Sequence, residues 1–287
     1  MRRILAILVV GLAAVALRAD DGPVTIKVKQ PGPGDKVKET KTETTTQKVS
    51  ATVMGMDMTK EEQATSKFVY TEEVVSKPAG ARRATKLRRV YEKAEVTKDG
   101  EKQNVGLDGK TVVIEKAGDG YTITVDGNEP AGLAAELLKK EFRKEKQVTE
   151  EDLLPKQPVK VGGTWKIDLY KFAKDAEGEL EMDVARSTGT GKLVKVYDKG
   201  GKKFGVMEVT FDLAVTKLGG GGGQEVELKA GSKMKLVAVM DACIDGSANE
   251  VTGKVTATGD LTGSIMGIDL KINLSSVKDA TGREVKK

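Results

Sequence analysis

Two stretches of this chain alternate apolar and polar residues with a period of two. Met207, Val209, Phe211, Leu213 and Val215 alternate with Glu208, Thr210, Asp212, Ala214 and Thr216. Met266, Ile268, Leu270, Ile272 and Leu274 alternate with Gly267, Asp269, Lys271 and Asn273. Successive side chains of a strand point to opposite faces, so each stretch reads as a strand that buries one face and wets the other. That is the pattern of an antiparallel sheet covered on one side.

The same signal recurs along the chain. The Thr-rich segment Lys36 to Val53 favours an extended strand through its β-branching. Ser66 to Ser76, Thr85 to Val96, Lys192 to Tyr197, Glu225 to Met240 and Val251 to Thr258 add further strands. Val112 to Glu115 and Tyr121 to Val125 flank Ala117-Gly118-Asp119-Gly120, a hairpin turn. Gly219 to Gly223 lies between two strands; without the Gly-Lys-Ser/Thr ending of a phosphate loop it reads as a flexible hairpin connection.

The middle differs. From Ala131 to Lys146, Ala134, Leu138 and Phe142 recur at i, i+4 and i+8 with Leu133 and Leu137 beside them. Lys139, Lys140, Arg143 and Lys144 take the other side, which makes an amphipathic helix started near Pro130. Thr149-Glu150-Glu151-Asp152 is a capping signal for one more turn, ended by Pro155. Strands on both sides of one helical segment imply an α+β, mostly β domain.

At the N-terminus, Arg2 and Arg3 precede the apolar run Ile4 to Leu17, and Arg18-Ala19 leads into Asp20-Asp21-Gly22-Pro23. Charge, short apolar helix and small residue in that order mark a secretory signal peptide, residues 1–19, with cleavage expected after Ala19; the alternative is an uncleaved N-terminal anchor. The run is shorter than the roughly 20 residues that span a bilayer. Residues 20–34, broken by Pro23, Pro31 and Pro33, read as a flexible leader, and 35–287 as a single domain. The chain is expected to be secreted, periplasmic or extracellular in a bacterial envelope, with no transmembrane segment after cleavage.

Losing Arg2, Arg3 and Arg18 with the signal lowers the formal charge from +5 to +2. With both signs interleaved and few aromatic residues, no nucleic-acid partner is expected. Cys243 is the lone cysteine, so no internal disulfide forms, and it reads as a small buried hydrophobe. There is no histidine, which removes Ser-His-Asp and Cys-His catalysis and His-ligated zinc together.

Carboxylates are plentiful, so a glycosidase-like pair must be considered. Glu177, Glu179, Glu181 and Asp183 alternate like the wet face of a strand, and Glu150, Glu151 and Asp152 cluster before a turn. Neither arrangement sets two carboxylates across a cleft. Asp119-Gly120, Asp126-Gly127-Asn128 and Asp245-Gly246-Ser247 lack the full calcium-loop pattern and read as tight turns. No metal, no cofactor and no enzymatic activity are expected. The methionines are adaptable: Met54, Met56 and Met58 share one spacing, and Met234 and Met240 share a parity with Leu236 and Ala238. Such side chains suit an irregular core or a tolerant apolar groove.

The segment Leu154-Pro155-Lys156-Gln157-Pro158-Val159-Lys160-Val161-Gly162-Gly163-Thr164-Trp165 resembles the P-x-x-x-V-x-V-G-x-x-W signature of an uncharacterised family of secreted bacterial β-rich proteins. The flanking pattern of long Thr-rich strands, central helix and long strands fits that family as well. The family looks like the half-open barrel of the periplasmic lipoprotein carriers, in which a curved antiparallel sheet wraps a helical lid. The resemblance carries no catalytic residues. In its own terms, Gly162-Gly163 permits a tight turn, and Trp165 closes one end of the core or, alternatively, stacks on a ligand.

These observations lead to a strongly curved antiparallel sheet, a half-open barrel, with a central amphipathic helix on its concave side. The resemblance then implies an envelope protein that binds an apolar ligand, lipid or lipidated protein. Leu133, Leu137, Leu138, Phe142, Met234 and Met240 are the groove candidates. The alternative is a structural or protein-interaction module with a filled core, in which a Thr-rich edge strand such as Lys36 to Val53 pairs with a partner. Oligomeric state is not legible.

Overall fold

The computed structural model describes residues 22–53, 56–142, 147–219, 225–265 and 267–285. Strand β1 spans Lys36–Val53, β2 Met56–Ser76, β3 Lys86–Lys98, β4 Glu101–Gln103, β5 Thr111–Ala117 and β6 Gly120–Val125. Helices α1, Gly132–Glu141, and α2, Glu150–Leu153, follow. Then come β7 Thr164–Lys166, α3 Tyr170–Ala176, β8 Leu180–Met182, β9 Thr188–Lys199 and β10 Lys202–Gly219. The chain ends with β11 Glu225–Leu228, β12 Lys233–Cys243, β13 Glu250–Ile265 and β14 Ile268–Glu284.

Across the sheet the order is β6-β5-β3-β2-β1-β14-β13-β11-β10-β9-β7, with β12 also joining β10 to β13, β4 beside β3 and β8 beside β10. The chain therefore runs around a circle, and its first and last long strands meet. β1 pairs antiparallel with β14 from Val37↔Glu284 to Ala51↔Leu270. The circle breaks between β6 and β7, where the chain crosses through α1 and α2.

The sheet is strongly curved. β5 and β10 are seven strand steps apart, about 34 Å on a flat sheet at ~4.8 Å per step. Yet Ile114 of β5 and Met207 of β10 line the same cavity. Only a sheet curled on itself brings them together.

Register decides what faces inward. On β1, Val37, Glu39 and Lys41 stand beside Glu72, Tyr70 and Phe68 of β2. Tyr70 and Glu72 in turn oppose Tyr91 and Arg89 of β3, past a bulge at Val69/Tyr70. On the other half, Met240 opposes Met207 of β10 and Gly253 of β13.

Three coverings close this concave face. Ala134 and Leu138 of α1 pack on Tyr70, Tyr91, Val112 and Ile114. Leu169 and Phe172, at the start of α3, pack with Leu213, Val215, Leu261 and Ile272. The third covering is the segment before β1, where Val24 and Ile26 pack on Leu193, Met207 and Ile244.

In that third covering, residues 22–34 are extended and docked on the sheet. Val24 exchanges both backbone hydrogen bonds with Val159, at 2.8 and 2.9 Å, and Lys27 N–H donates to Ile244 O at 2.8 Å. The physical reason is the period-two set Val24, Ile26 and Val28, which gives an otherwise polar segment a buried side.

The edge-strand expectation for Lys36 to Val53 is corrected. β1 is a strand over that whole span, but it is paired on both sides, so it offers no free edge. Among the described residues the terminal strands of the sheet are β6 and β7.

Helix α1 starts later than expected. Pro130 precedes the N-cap Ala131, and Gly132 takes φ 55°, so the helix cannot run back to the proline. Gly118-Asp119 makes the two-residue hairpin turn between Ala117 and Gly120. Cys243 ends β12, free and buried. The signal segment, Met54, Met266, residues 143–146 and the glycines 220–223 lie outside the described residues.

Candidate functional site

The inward alternation leaves a cavity of about 490 Å³ at the end of the barrel where β1 begins and β2 ends. Val37, Val74, Leu87 and Ile114 line it from one half of the sheet, Met207 and Met240 from the other. Phe142, the C-cap of α1, closes it from the helical side, and Val28 to Pro31 from the N-terminal segment. A cavity of this size with mostly apolar walls is of the kind that holds a small apolar or amphiphilic ligand.

A charged partition separates it from a second cavity, of about 920 Å³, which Phe68, Tyr91, Leu137 and Leu138 help line. Arg89 forms the centre of this partition and is only 5% exposed. Its Nε donates to Glu72 Oε2 at 2.5 Å and its Nη1 to Glu141 Oε2 at 2.9 Å. The guanidinium carbon sits 4.5 Å from the centre of the Tyr70 ring and 4.9 Å from that of Phe142. Burial alone would depress the Arg89 pKa, but Glu72 and Glu141 outweigh it and hold the pKa well above the ordinary value.

Tyr70 extends the network. Its hydroxyl accepts from Lys41 Nζ and donates to Glu39 Oε2 at 2.8 Å, while Lys41 and Glu39 pair at 2.7 Å. Burial pushes the Tyr70 phenol far up, so it stays protonated and serves as the donor. Burial also raises the Glu39 carboxyl, but Lys41 more than reverses this and keeps it below its ordinary value. A buried charge is tolerable only with partners of this kind.

The six groove candidates divide between these surroundings. Leu138 is buried against the sheet under α1 and borders the second cavity, as does Leu137. Leu133 packs on the same cluster and lines neither cavity. Phe142 and Met240 line the first cavity. Met234 packs in the α3 cluster instead.

The Gly162, Gly163 and Trp165 motif forms the turn into β7. Gly162 takes φ 83°, and a Cβ on Gly163 would come within 2.6 Å of Val159. Trp165 donates from Nε1 to Leu153 O at 2.8 Å, and its ring lies over Gly191, where a Cβ would stand 2.1 Å from the indole. The ring thus ties the helical connection to the edge of the sheet.

The carboxylate groups read from the sequence do not converge on one site. Glu181 lies near Lys217, at 3.6 Å, while Asp183 accepts from the N–H groups of Ala185 and Arg186. Asp126 accepts from the Thr111 N–H of β5, and Asp245 from the Lys203 N–H of β10 and the Ser247 N–H of its own turn.

Asp152 has a different role. It accepts from the Thr149 N–H at 2.9 Å, from Lys171 at 2.7 Å and from Arg82 at 3.2 Å, clamping α2 to α3 and to the loop before β3. Burial raises its pKa, but Lys171, the Thr149 N–H and Arg82 together hold it far below the usual carboxylate range. Stability from a depressed carboxyl is present above its unfolded pKa and lost as pH falls through the folded one. Protection of the amides of residues 147–154, with each rate divided by its intrinsic rate at that pH, should therefore hold at neutral and mildly acidic pH and fall only under strong acid. Asp152→Asn should show fast exchange already at pH 7; equal exchange in the two proteins would remove the clamp.

Sequence reasoning missed the partition, although its signal was present. Leu87, Arg89 and Tyr91 repeat at the spacing of a buried face, as do Tyr70, Glu72 and Val74. A charge within such a set marks a buried pair, but its partner lies on another strand at a register the sequence does not show.

Against known proteins, no protein-family model and no curated protein matches the chain. A solved structure with some likeness is an outer membrane channel from Pseudomonas putida F1. It is 10% identical over 90% of this chain and 98% of that one, with a TM-score of 0.21. A superposition that loose bears on neither fold nor function. What stands from the chain itself is a β-rich, antiparallel, curved architecture.

Proposed function

We propose that this chain is a non-enzymatic exported envelope protein that holds an apolar ligand, a lipid or the acyl chain of a lipidated partner inside its curved sheet. One observation carries the reading: an apolar-walled cavity of about 490 Å³ lies between the two halves of a sheet that could have collapsed on itself. A folded interior is normally packed with few voids larger than a water molecule. An open-mouthed, largely apolar space of this size therefore needs a reason, and a guest supplies one.

Native mass spectrometry of protein purified from its own source, followed by organic extraction, tests the reading. A stoichiometric apolar species is the expected result. A clean apo mass, with no uptake when lipids are offered, would favour the interaction module with no ligand.

Met240 gives the sharper variant. It faces the cavity across from Met207, so the indole of Met240→Trp has space to enter. Lipid uptake is expected to fall at least ~10-fold, the consequence of losing about 1.4 kcal/mol of binding, with the thermal midpoint nearly unchanged. Unimpaired uptake would place the ligand elsewhere.

A further inference from the structure

The walls of the 490 Å³ cavity are not equally held. On the sheet side the long strands are tied to two neighbours; β1 is paired with β14 from Val37 to Ala51 and with β2 from Lys36 to Val53. The N-terminal segment that contributes Val28, Lys29, Gln30 and Pro31 to the lining has no such register. It is fixed by the Val24–Val159 pair, by Lys27 N–H on Ile244 O, by Lys29 on Glu284 at 2.7 Å and by Lys77 Nζ on Pro31 O at 3.3 Å. Val24 and Ile26, buried on Leu193, Met207 and Ile244, are its two apolar anchors.

The turn between this segment and β1 is fixed to the sheet: Gly34 takes φ 83°, its N–H donates to Val74 O at 2.8 Å, and the Gly32 N–H donates to Asp35 Oδ2 at 2.9 Å. The strap therefore runs out from an anchored turn, with its far end held by few bonds. The elements that open first in a protein are those with few bonds and little buried area.

We propose that residues 24–31 are the gate of the cavity: the strap lifts from Val159 and Ile244 while the turn at 32–35 stays anchored on β2, admits an apolar chain and re-seats over it. This rests on the ligand-holding reading above. The strap then sets the rate of loading, whereas the sheet and α1 set the shape of the site.

The Val24–Val159 pair allows a direct test. Residues that exchange both hydrogen bonds in an antiparallel pair stand about 5.5 Å apart at Cα, within the span a disulfide bridges. The full chain carrying Val24→Cys and Val159→Cys, oxidised, holds the strap down; Cys243 is 1% exposed and does not compete. In the opposite direction, Ile26→Gly removes one anchor.

Each protein is incubated with vesicles of phosphatidylethanolamine and phosphatidylglycerol, and the lipid carried off is quantified by mass spectrometry. The gate requires that the oxidised double variant load at least ten times more slowly than its reduced form, and that Ile26→Gly load faster than wild type. Equal loading by oxidised and reduced forms, or an unchanged rate in Ile26→Gly, overturns the gate while the wild type's loading keeps the ligand reading intact. A wild type that never loads overturns both.

Discussion

Arg89→Met is expected to cost about 2–3 kcal/mol, below the full cost of breaking a buried ion pair because Glu72 is 20% and Glu141 41% exposed. The substitution leaves Glu72 and Glu141, both bonded to Arg89 in the wild type, facing each other without their cation. Methionine fills much of the slot between the Tyr70 and Phe142 rings, so lost packing is the smaller part of the loss. Lys38–Glu92 gives the contrast. Those side chains are 48% and 47% exposed, and such surface pairs contribute about 0–1 kcal/mol. Two further measurements separate charge from shape. Adding Glu72→Gln and Glu141→Gln to Arg89→Met should recover most of the loss, because neutral groups can replace a buried triad at little cost.

The second measurement is pH. A carboxylate stripped of its cation has a raised folded pKa, and stability from such a group is present at low pH and lost as pH rises through that value. Urea midpoints of wild type and Arg89→Met should therefore approach one another near pH 4 and diverge toward pH 7. A difference under about 1 kcal/mol at pH 7, on the scale of an exposed pair, or one that ignores pH, would make the partition ordinary surface chemistry.

How much of the fold and the site was legible depends on the range of each signal. The period-two sets of β10 and β14 and the Thr-rich β1 show their faces locally, because alternation and β-branching act within a few residues. The helix was legible in kind but not in its start, since Gly132 breaks the pattern in a way that composition does not reveal. The place of β1 at the centre of the sheet was not legible at all. Its pairing with β14 joins residues as far apart as Val37 and Glu284, and no local pattern encodes so distant a register. The strap failed for another reason: Val24, Ile26 and Val28 do alternate, but three residues among prolines look like a linker. The cavity lining was legible in part, through Phe142 and Met240. Arg89 was overlooked because interleaved charge reads as surface until a partner strand is placed beside it.

Leu261→Ala should be among the most damaging truncations in the molecule, at about 4–5 kcal/mol, the upper half of the range for a buried leucine. Leu261 is 1% exposed and packs among Leu213, Val215 and Ile272, away from either cavity. Its loss opens a new void in β13 whose closing is resisted by the register opposite Ile272 of β14. Leu138 is buried to the same 1% but borders the second cavity. Truncating it widens an existing space, so Leu138→Ala should cost only about 2–3 kcal/mol, close to the transfer contribution of the missing methyl groups. The difference between two equally buried leucines is thus a measure of the void. Denaturant titrations that return equal losses for the two would mean that α1 rests on a filled interior. A charged residue at Leu138 could not make that distinction, since it would unfold the helix from the sheet in either case. A larger loss at Leu261 would leave the space beneath α1 real and open to a guest.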